Sequence, residues 1–460
     1  MAITATNQEP GIIVPAYGRI IWSFTSDNTL QGNFKYVLDV YINGTLYTRL
    51  KQFPNPSGYC LIDLGTVAQA VLSSVNEYPT QIPIPFVPPG APITNCPDSH
   101  CTMQLLVGEE WSVGTAAPFI YNGVDNALGD PAYATNTIQI LNAYLDIDQE
   151  WDTTLNVWTP MVAPLKSNFM TDVPRSATTA TYPKVRMADH YTLQYINRIL
   201  PSIYARTLYA DNIYGLTITL VDQDGAPMES AFVQNNVDNG GGPWVDCSTP
   251  GAWTNDQFVQ RIAVGPKDLL DLGILTFVGS VGQVPTYYTV EGVSWSNYLT
   301  CNEGASLTEL FRFDLVPDCN PSGFVPIQIE FLNKYGGFDY YTFTLRNEET
   351  QSTKRNLYNI LPGDWSGAVF TRPTYARGSA VNSAEVTIRY TAMSDWLTQD
   401  ESEWLSQLAK STDVRAWING QYYTVVMNSV DYSVQTYARN KLFQYTIEFT
   451  SSLTPLVQNS

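Results

Sequence analysis

Residues 33–53, NFKYVLDVYINGTLYTRLKQF, constrain the fold more than any other stretch. Phe34, Tyr36, Leu38, Val40 and Ile42 recur at every second position, so an extended strand places all five on one face. Asn43-Gly44 then supplies the residue pair a two-residue type I′ turn demands, because both central residues of that turn need φ > 0. This is a β-hairpin, and the rest of the chain shares its grammar.

Aromatics make up 13% of the sequence against 15% charged residues, and the 30 Gly and 29 Pro interrupt one apolar run after another. That is a strand-and-turn composition. A chain of 460 residues exceeds what one core usually supports, so two to four domains are expected. With 24 Lys+Arg against 43 Asp+Glu the formal charge is −19, which repels phosphate and disfavours direct nucleic-acid binding. The N-terminus lacks a basic region followed by an apolar one, and no run approaches the roughly 18 apolar residues of a membrane span. A protein made in the cytoplasm, without membrane insertion, is expected.

The fold class predicted is mainly β: two to three β-sandwich domains, immunoglobulin- or fibronectin-like, with few short helices. Residues 1–125 read as an N-terminal fibronectin-like sandwich, with TVAQAVLSSV (66–75) a short helix. Within it, 79–98 holds seven prolines and reads as an extended arm or surface loop. Residues 126–183 read as a linker or crossover. Residues 184–320 form a middle β domain, with QRIAVGPKDLL among its strands and Gly240 to Gly242 a flexible loop. Residues 321–460 form a C-terminal β domain with one capped helix near 398–410, where Thr398 and Glu401 make a capping box and Trp404, Leu405 and Leu408 a buried stripe. YINGTLYT (41–48) and WINGQYYT (417–424) look alike as Asn-Gly hairpins, not as an internal repeat.

Chemistry is sparse. There are two histidines, and neither His100 nor His190 sits in a catalytic signature. His190 reads as a partly buried hydrogen-bonder rather than a base. Cys96, His100 and Cys101 could begin a zinc site, but no second cluster supplies a fourth ligand, and free thiols or a local disulfide are the alternatives. The six cysteines are too dispersed for a disulfide scaffold. Asp146, Asp148, Glu150 and Asp152, spaced by two, would share one face of a strand; a solvated strip is the usual outcome, with calcium or carboxylate catalysis as alternatives. Trp111, Trp151, Trp158, Trp244, Trp253 and Trp295 are candidate stacking faces for sugars. No phosphate-binding, zinc-protease or nucleophile-elbow motif occurs. No catalytic residue, cofactor or metal is therefore expected.

IEFLNKYGGFDYYTFTLRN (329–347) reads as a hairpin whose Gly336-Gly337 turn needs φ > 0, with Val325, Ile327, Ile329 and Phe331 alternating before it and Tyr341, Phe343 and Leu345 after it. Lys334, Tyr335, Phe338 and Tyr340 at its tip are the interface candidates, toward another subunit or toward the next domain.

IQIEFLNKYGGFDYYTFTL (327–345), the stretch TAMSDWLTQDESEWLSQLAKSTDVRAWINGQYYTVVM (391–427) and LFQYTIEFTSS (442–452) resemble the C-terminal part of virion structural proteins of Bacteroidetes-infecting tailed phages, crAss-like phages included. NFKYVLDVYINGTLYTRLKQFPNPSGYCLIDL, MQLLVGEEW, PLKSNFMTDVP, ADHYTLQYIN and RIAVGP agree, so the likeness spreads over most of the chain. The resemblance implies a non-enzymatic virion component of the tail, neck ring or collar. Its expected partners are copies of itself and other virion proteins such as portal, tail or ring proteins. An acidic, aromatic-rich β-protein fits that class. The alternatives are a tail-fibre or baseplate adhesin for a host glycan or receptor and, below it, a carboxylate-dependent polysaccharide-degrading enzyme.

Overall fold

A computed structural model of the chain describes residues 3–11, 13–72, 92–114, 117–121, 133–144, 169–178, 181–197, 213, 215–235, 258–278, 284–297, 302–317, 323–364, 366–429 and 443–452. The fold is mainly β, with several sheets and few short helices. It divides into two compact units, Met1–Pro317 with Leu332–Asp339, and Asp318–Phe331 with Tyr340–Ser460.

In the first unit the chain runs β1 (Ile3–Gln8), β2 (Ile13–Tyr17), β3 (Ile21–Ser26), β4 (Gly32–Ile42), β5 (Thr45–Gln52), β6 (Cys60–Asp63), α1 (Gly65–Val71), β7 (Ile93–Asn95), β8 (His100–Ser112), β9 (Phe119–Tyr121), β10 (Tyr133–Ala134) and β11 (Ile138–Tyr144). The sheet β1-β3-β6 faces the sheet β2-β11-β8-β4-β5, and β9 and β10 both pair with β8. Their shared core brings Trp22, Phe24 and Cys60 against Tyr36, Leu38, Met103 and Leu105. Each fully buried side chain of this kind contributes roughly 1.5–3 kcal/mol by leaving water. The Asn43-Gly44 turn has φ of 49° and 75°, as a type I′ turn requires, and pairs Ile42 with Thr45.

Residues 138–144, within the stretch read as a linker, are a central strand. β11 runs parallel to β2 and antiparallel to β8. Ile138 and Ile140 enter the first core, whereas Leu141 and Ala143 enter a second with Ile13, Cys96 and Ile196. A strand buried on both faces shows no polar alternation, so its period is invisible in sequence.

The chain continues through β12 (Lys184–Val185), β13 (Thr192–Ile196), β14 (Gly215–Asp222), β15 (Pro227–Gln234), β16 (Val259–Ala263), α2 (Pro266–Asp271), β17 (Pro285–Asn297), β18 (Asn302–Ser306) and β19 (Phe311–Leu315). The sheet β13-β16-β7 takes its edge strand from the end of the proline-rich arm, at the three residues Ile93–Asn95 that carry no proline. The sheet β12-β19-β17-β14-β15, with β18 beside β17, meets it through edge-to-face aromatic pairs: Tyr191 with Phe313 at 4.9 Å, and Phe169, outside both sheets, with Tyr195 at 6.3 Å on one side and Phe311 at 5.6 Å on the other. GPKDLL, read as the end of a strand, forms α2 instead. Pro266 occupies the first helical positions with Asp268 in the first turn, which suits a helix start.

The second unit is built on one sheet, β21-β20-β24-β25-β26-β23-β22. Its strands are β20 (Ile327–Leu332), β21 (Phe338–Phe343), β22 (Asn347–Asn359), β23 (Ser379–Met393), β24 (Val414–Ile418), β25 (Gln421–Ser429) and β26 (Thr446–Ser451). The helical segment splits into α3 (Gln399–Leu405) and α4 (Gln407–Lys410), and the expected capping box is present, with Thr398 Oγ1 accepting from Glu401 N and Glu401 Oε2 from Thr398 N. Trp404 packs on Phe331, ring centroids 5.7 Å apart. Asn419 and Gly420 turn with φ of 52° and 78°. Ile327, Ile329, Phe331 and Phe343 are buried as their alternation suggests, while Val325 precedes the strand and is exposed.

Candidate functional site: buried polar clusters and an exposed ribbon

The hairpin tip is held within the first unit, to which residues 332–339 belong. Asn333 organises it. Its Oδ1 accepts from Tyr335 N and Gly337 N, and its Nδ2 donates to Met170 O at 2.9 Å. Tyr144 N donates to Lys334 O, Lys334 Nζ pairs with Asp172 at 2.7 Å, and Thr171 Oγ1 donates to Asp339 at 2.6 Å. Tyr335 packs on the second core. Of the four interface candidates, Phe338 and Tyr340 are buried and Lys334 and Tyr335 half-buried, so the chain itself covers much of what they offer. The two glycines have different reasons. Gly336 has φ of 81° and its Cβ would also meet the Asn142 carbonyl, whereas Gly337, without positive φ, is required only because the backbone of Met170 leaves no room for a Cβ.

His190 is buried, with Nδ1 2.7 Å from Asp268 Oδ1, while Asp268 Oδ2 accepts from Tyr191 N. Burial pushes the Asp268 carboxyl above its ordinary value, opposed by its hydrogen bond with His190. Both side chains are 5% exposed, so a substrate would have to reach an imidazole that solvent scarcely touches. The pair ties the turn before β13 to α2. Sequence reading missed Asp268, and no local signal marks it, since its partner lies 78 positions away.

In the second unit, buried Glu330 receives Tyr340 Oη at 2.7 Å and Tyr422 Oη at 2.5 Å. Arg415 approaches at 3.5 Å and also holds Asp413. Through these hydrogen bonds Glu330 cross-links β20, β21, β24 and β25.

Cys96 and Cys101 are free and face different cores, and His100 Nδ1 lies 3.1 Å from Cys96 O. Among the described residues no group of three or more His, Cys, Asp or Glu is arranged to hold a metal. The acidic row 146–152 lies outside the described residues, as do Trp151, Trp158, Trp244 and Trp253 and the glycine triplet. Trp295 lies on β17, and Trp111 stacks on Phe34 against the first core instead of forming an open platform.

β22 and β23 form a long ribbon whose outer strand, β22, is exposed. Their ladder runs from Asn347↔Ala392 to Asn359↔Ser379, but β26 accompanies β23 only from Arg389 to Met393. From Gln351↔Ile388 onward the two strands have only each other as neighbours among the described residues, over roughly 30 Å at 3.3 Å per residue. β22 is exposed from Glu348 to its end. At the far end Leu361, Val369 and Tyr375 are 70%, 74% and 85% exposed. That end is nevertheless built: Asp364 N donates to Thr371 O, Asp364 Oδ1 accepts from Ser366 N, and the Phe370 ring covers Gly363 at φ of 104°. The polar run NEETQSTKRNLYN gives little sign in sequence of being a strand.

No protein-family model and no curated protein matches the sequence. No helix among the described residues is long and apolar enough to cross a membrane.

Proposed function

We propose that the chain is a non-enzymatic structural component of a tailed-phage virion, assembling with copies of itself into a ring or collar of the tail or neck beside other virion proteins. The observation that carries this reading is the β22–β23 ribbon. A two-stranded ribbon whose outer strand is exposed is marginal by itself, and one that displays leucine, valine and tyrosine at its end gains stabilisation when something covers it. An outer strand with no further strand paired to it among the described residues also offers a row of backbone donors and acceptors to another chain. The sequence resemblance and the acidic, aromatic-rich composition point the same way.

Sedimentation velocity on the purified full chain, with fractionation of disrupted particles, tests this. The expected result is a closed oligomer of defined mass and co-fractionation with tail or neck proteins. A monomer that binds host polysaccharide tightly would replace this reading with the adhesin, and hydrolysis of that polysaccharide would replace it with the enzyme.

A further inference from the structure

Resting on that reading, we infer that the ribbon, residues 351–388, is an arm that clasps a second copy of this chain on the acidic surface of its body. Within 351–388 the charged residues are Lys354, Arg355, Arg372 and Arg377 against Asp364 and Glu385, a formal +2. Taking these from the chain's 24 Lys+Arg and 43 Asp+Glu leaves 20 and 41, a formal −21 for everything else. A segment whose outer strand is exposed along its length is thus positive on a strongly negative chain. Opposite charge steers the arm of one copy toward the body of another, and two bodies repel unless an arm lies between them.

The apolar end supplies what charge does not. Leu361, Val369 and Tyr375 stand out in water, held by a tip whose hydrogen bonds pre-order it, so little ordering entropy is lost on docking. Nucleic acid is the other polyanion a basic arm could meet, but the remainder of the chain, formally −21, would repel it, whereas the net negative charge of a second copy attracts the arm. An arm from each copy entering the body of the next is a heterologous contact, which closes into a ring when the rotation permits.

The test uses the full chain, a Leu361→Ser/Val369→Ser/Tyr375→Ser variant, and a Lys354→Glu/Arg355→Glu variant. All five positions are exposed, so both variants should fold, which circular dichroism and thermal melting check. Sedimentation velocity should show association weakened roughly tenfold or more in each variant, with the wild type weakening as salt rises. Because an arm variant keeps its acceptor surface, labelled variant should still bind wild type while failing to bind itself. If the wild type is oligomeric and both variants match it, the arm inference fails and the assembly reading stands. A wild type that stays monomeric at the highest attainable concentration defeats both. Variant that cannot bind wild type would mean arm pairs with arm, and a duplex DNA fragment bound by wild type but not by the charge variant, at unchanged oligomer mass, would mean the arm serves nucleic acid. Either result overturns the inference.

Discussion

A Cβ placed on Gly337 would lie 2.3 Å from the carbonyl oxygen of Met170, a residue far off in sequence. Backbone against backbone cannot yield as a flexible side chain can. Gly337→Ala should therefore cost about 1–3 kcal/mol, read from urea unfolding, while Gly378→Ala, with nothing within 4 Å of its Cβ, should stay within about 0.5 kcal/mol of wild type. Equal effects at the two positions would show that the tip is not gripped as described.

Glu330 holds two tyrosine hydroxyls and an arginine in a buried site. Glu330→Leu should destabilise by about 3 kcal/mol, because desolvated donors lose their acceptor. Adding Tyr422→Phe to that variant should cost less than Tyr422→Phe does in wild type, and a double-mutant cycle with no coupling would refute the network.

The Asp268 carboxyl, raised by burial, binds its proton more readily in the folded chain than in the unfolded one. Its contribution to stability is fully present below the unfolded pKa and is lost as pH rises through the folded one. Urea midpoints of wild type and Asp268→Asn, followed upward from the ordinary carboxyl value of 3.8, should show wild type losing ground to the variant as pH rises. A gap between the two that does not change with pH would mean that Asp268 is not shifted.

Burial pushes the Cys60 and Cys101 thiols up to about 12 and raises that of Cys96. At pH near 8 almost none of these sulfurs is thiolate, the reactive form. Iodoacetamide followed by peptide mapping should leave all three unmodified in native protein and alkylate them in denaturant. Fast native alkylation of Cys60 or Cys101 would contradict their placement in the sandwich core.

How much of this was legible beforehand follows a physical line. Asn43-Gly44, Asn419-Gly420 and the Thr398/Glu401 capping box depend on residues a few positions apart, and each took the geometry that its local chemistry demands. Strands whose apolar side chains alternate, such as β4 from Phe34 to Ile42, were visible for the same reason, although Val37 and Asp39 on the other face of β4 are buried as well. β11 was not, because two cores claim its opposite faces and erase the alternation. The role of Gly337 was half read: a turn glycine was expected, but the need comes from Met170 and not from φ.

The sequence by itself determined the class of structure: strands, turns, a capped helical segment and an acidic surface all follow from short-range sterics, hydrogen bonding and composition. Only the tertiary structure decided which polar side chains are buried together, as with His190 and Asp268, and which strand is left exposed, as with β22. Those outcomes depend on what lies across space from each residue. Sequence separation of 78 positions or more carries no record of that.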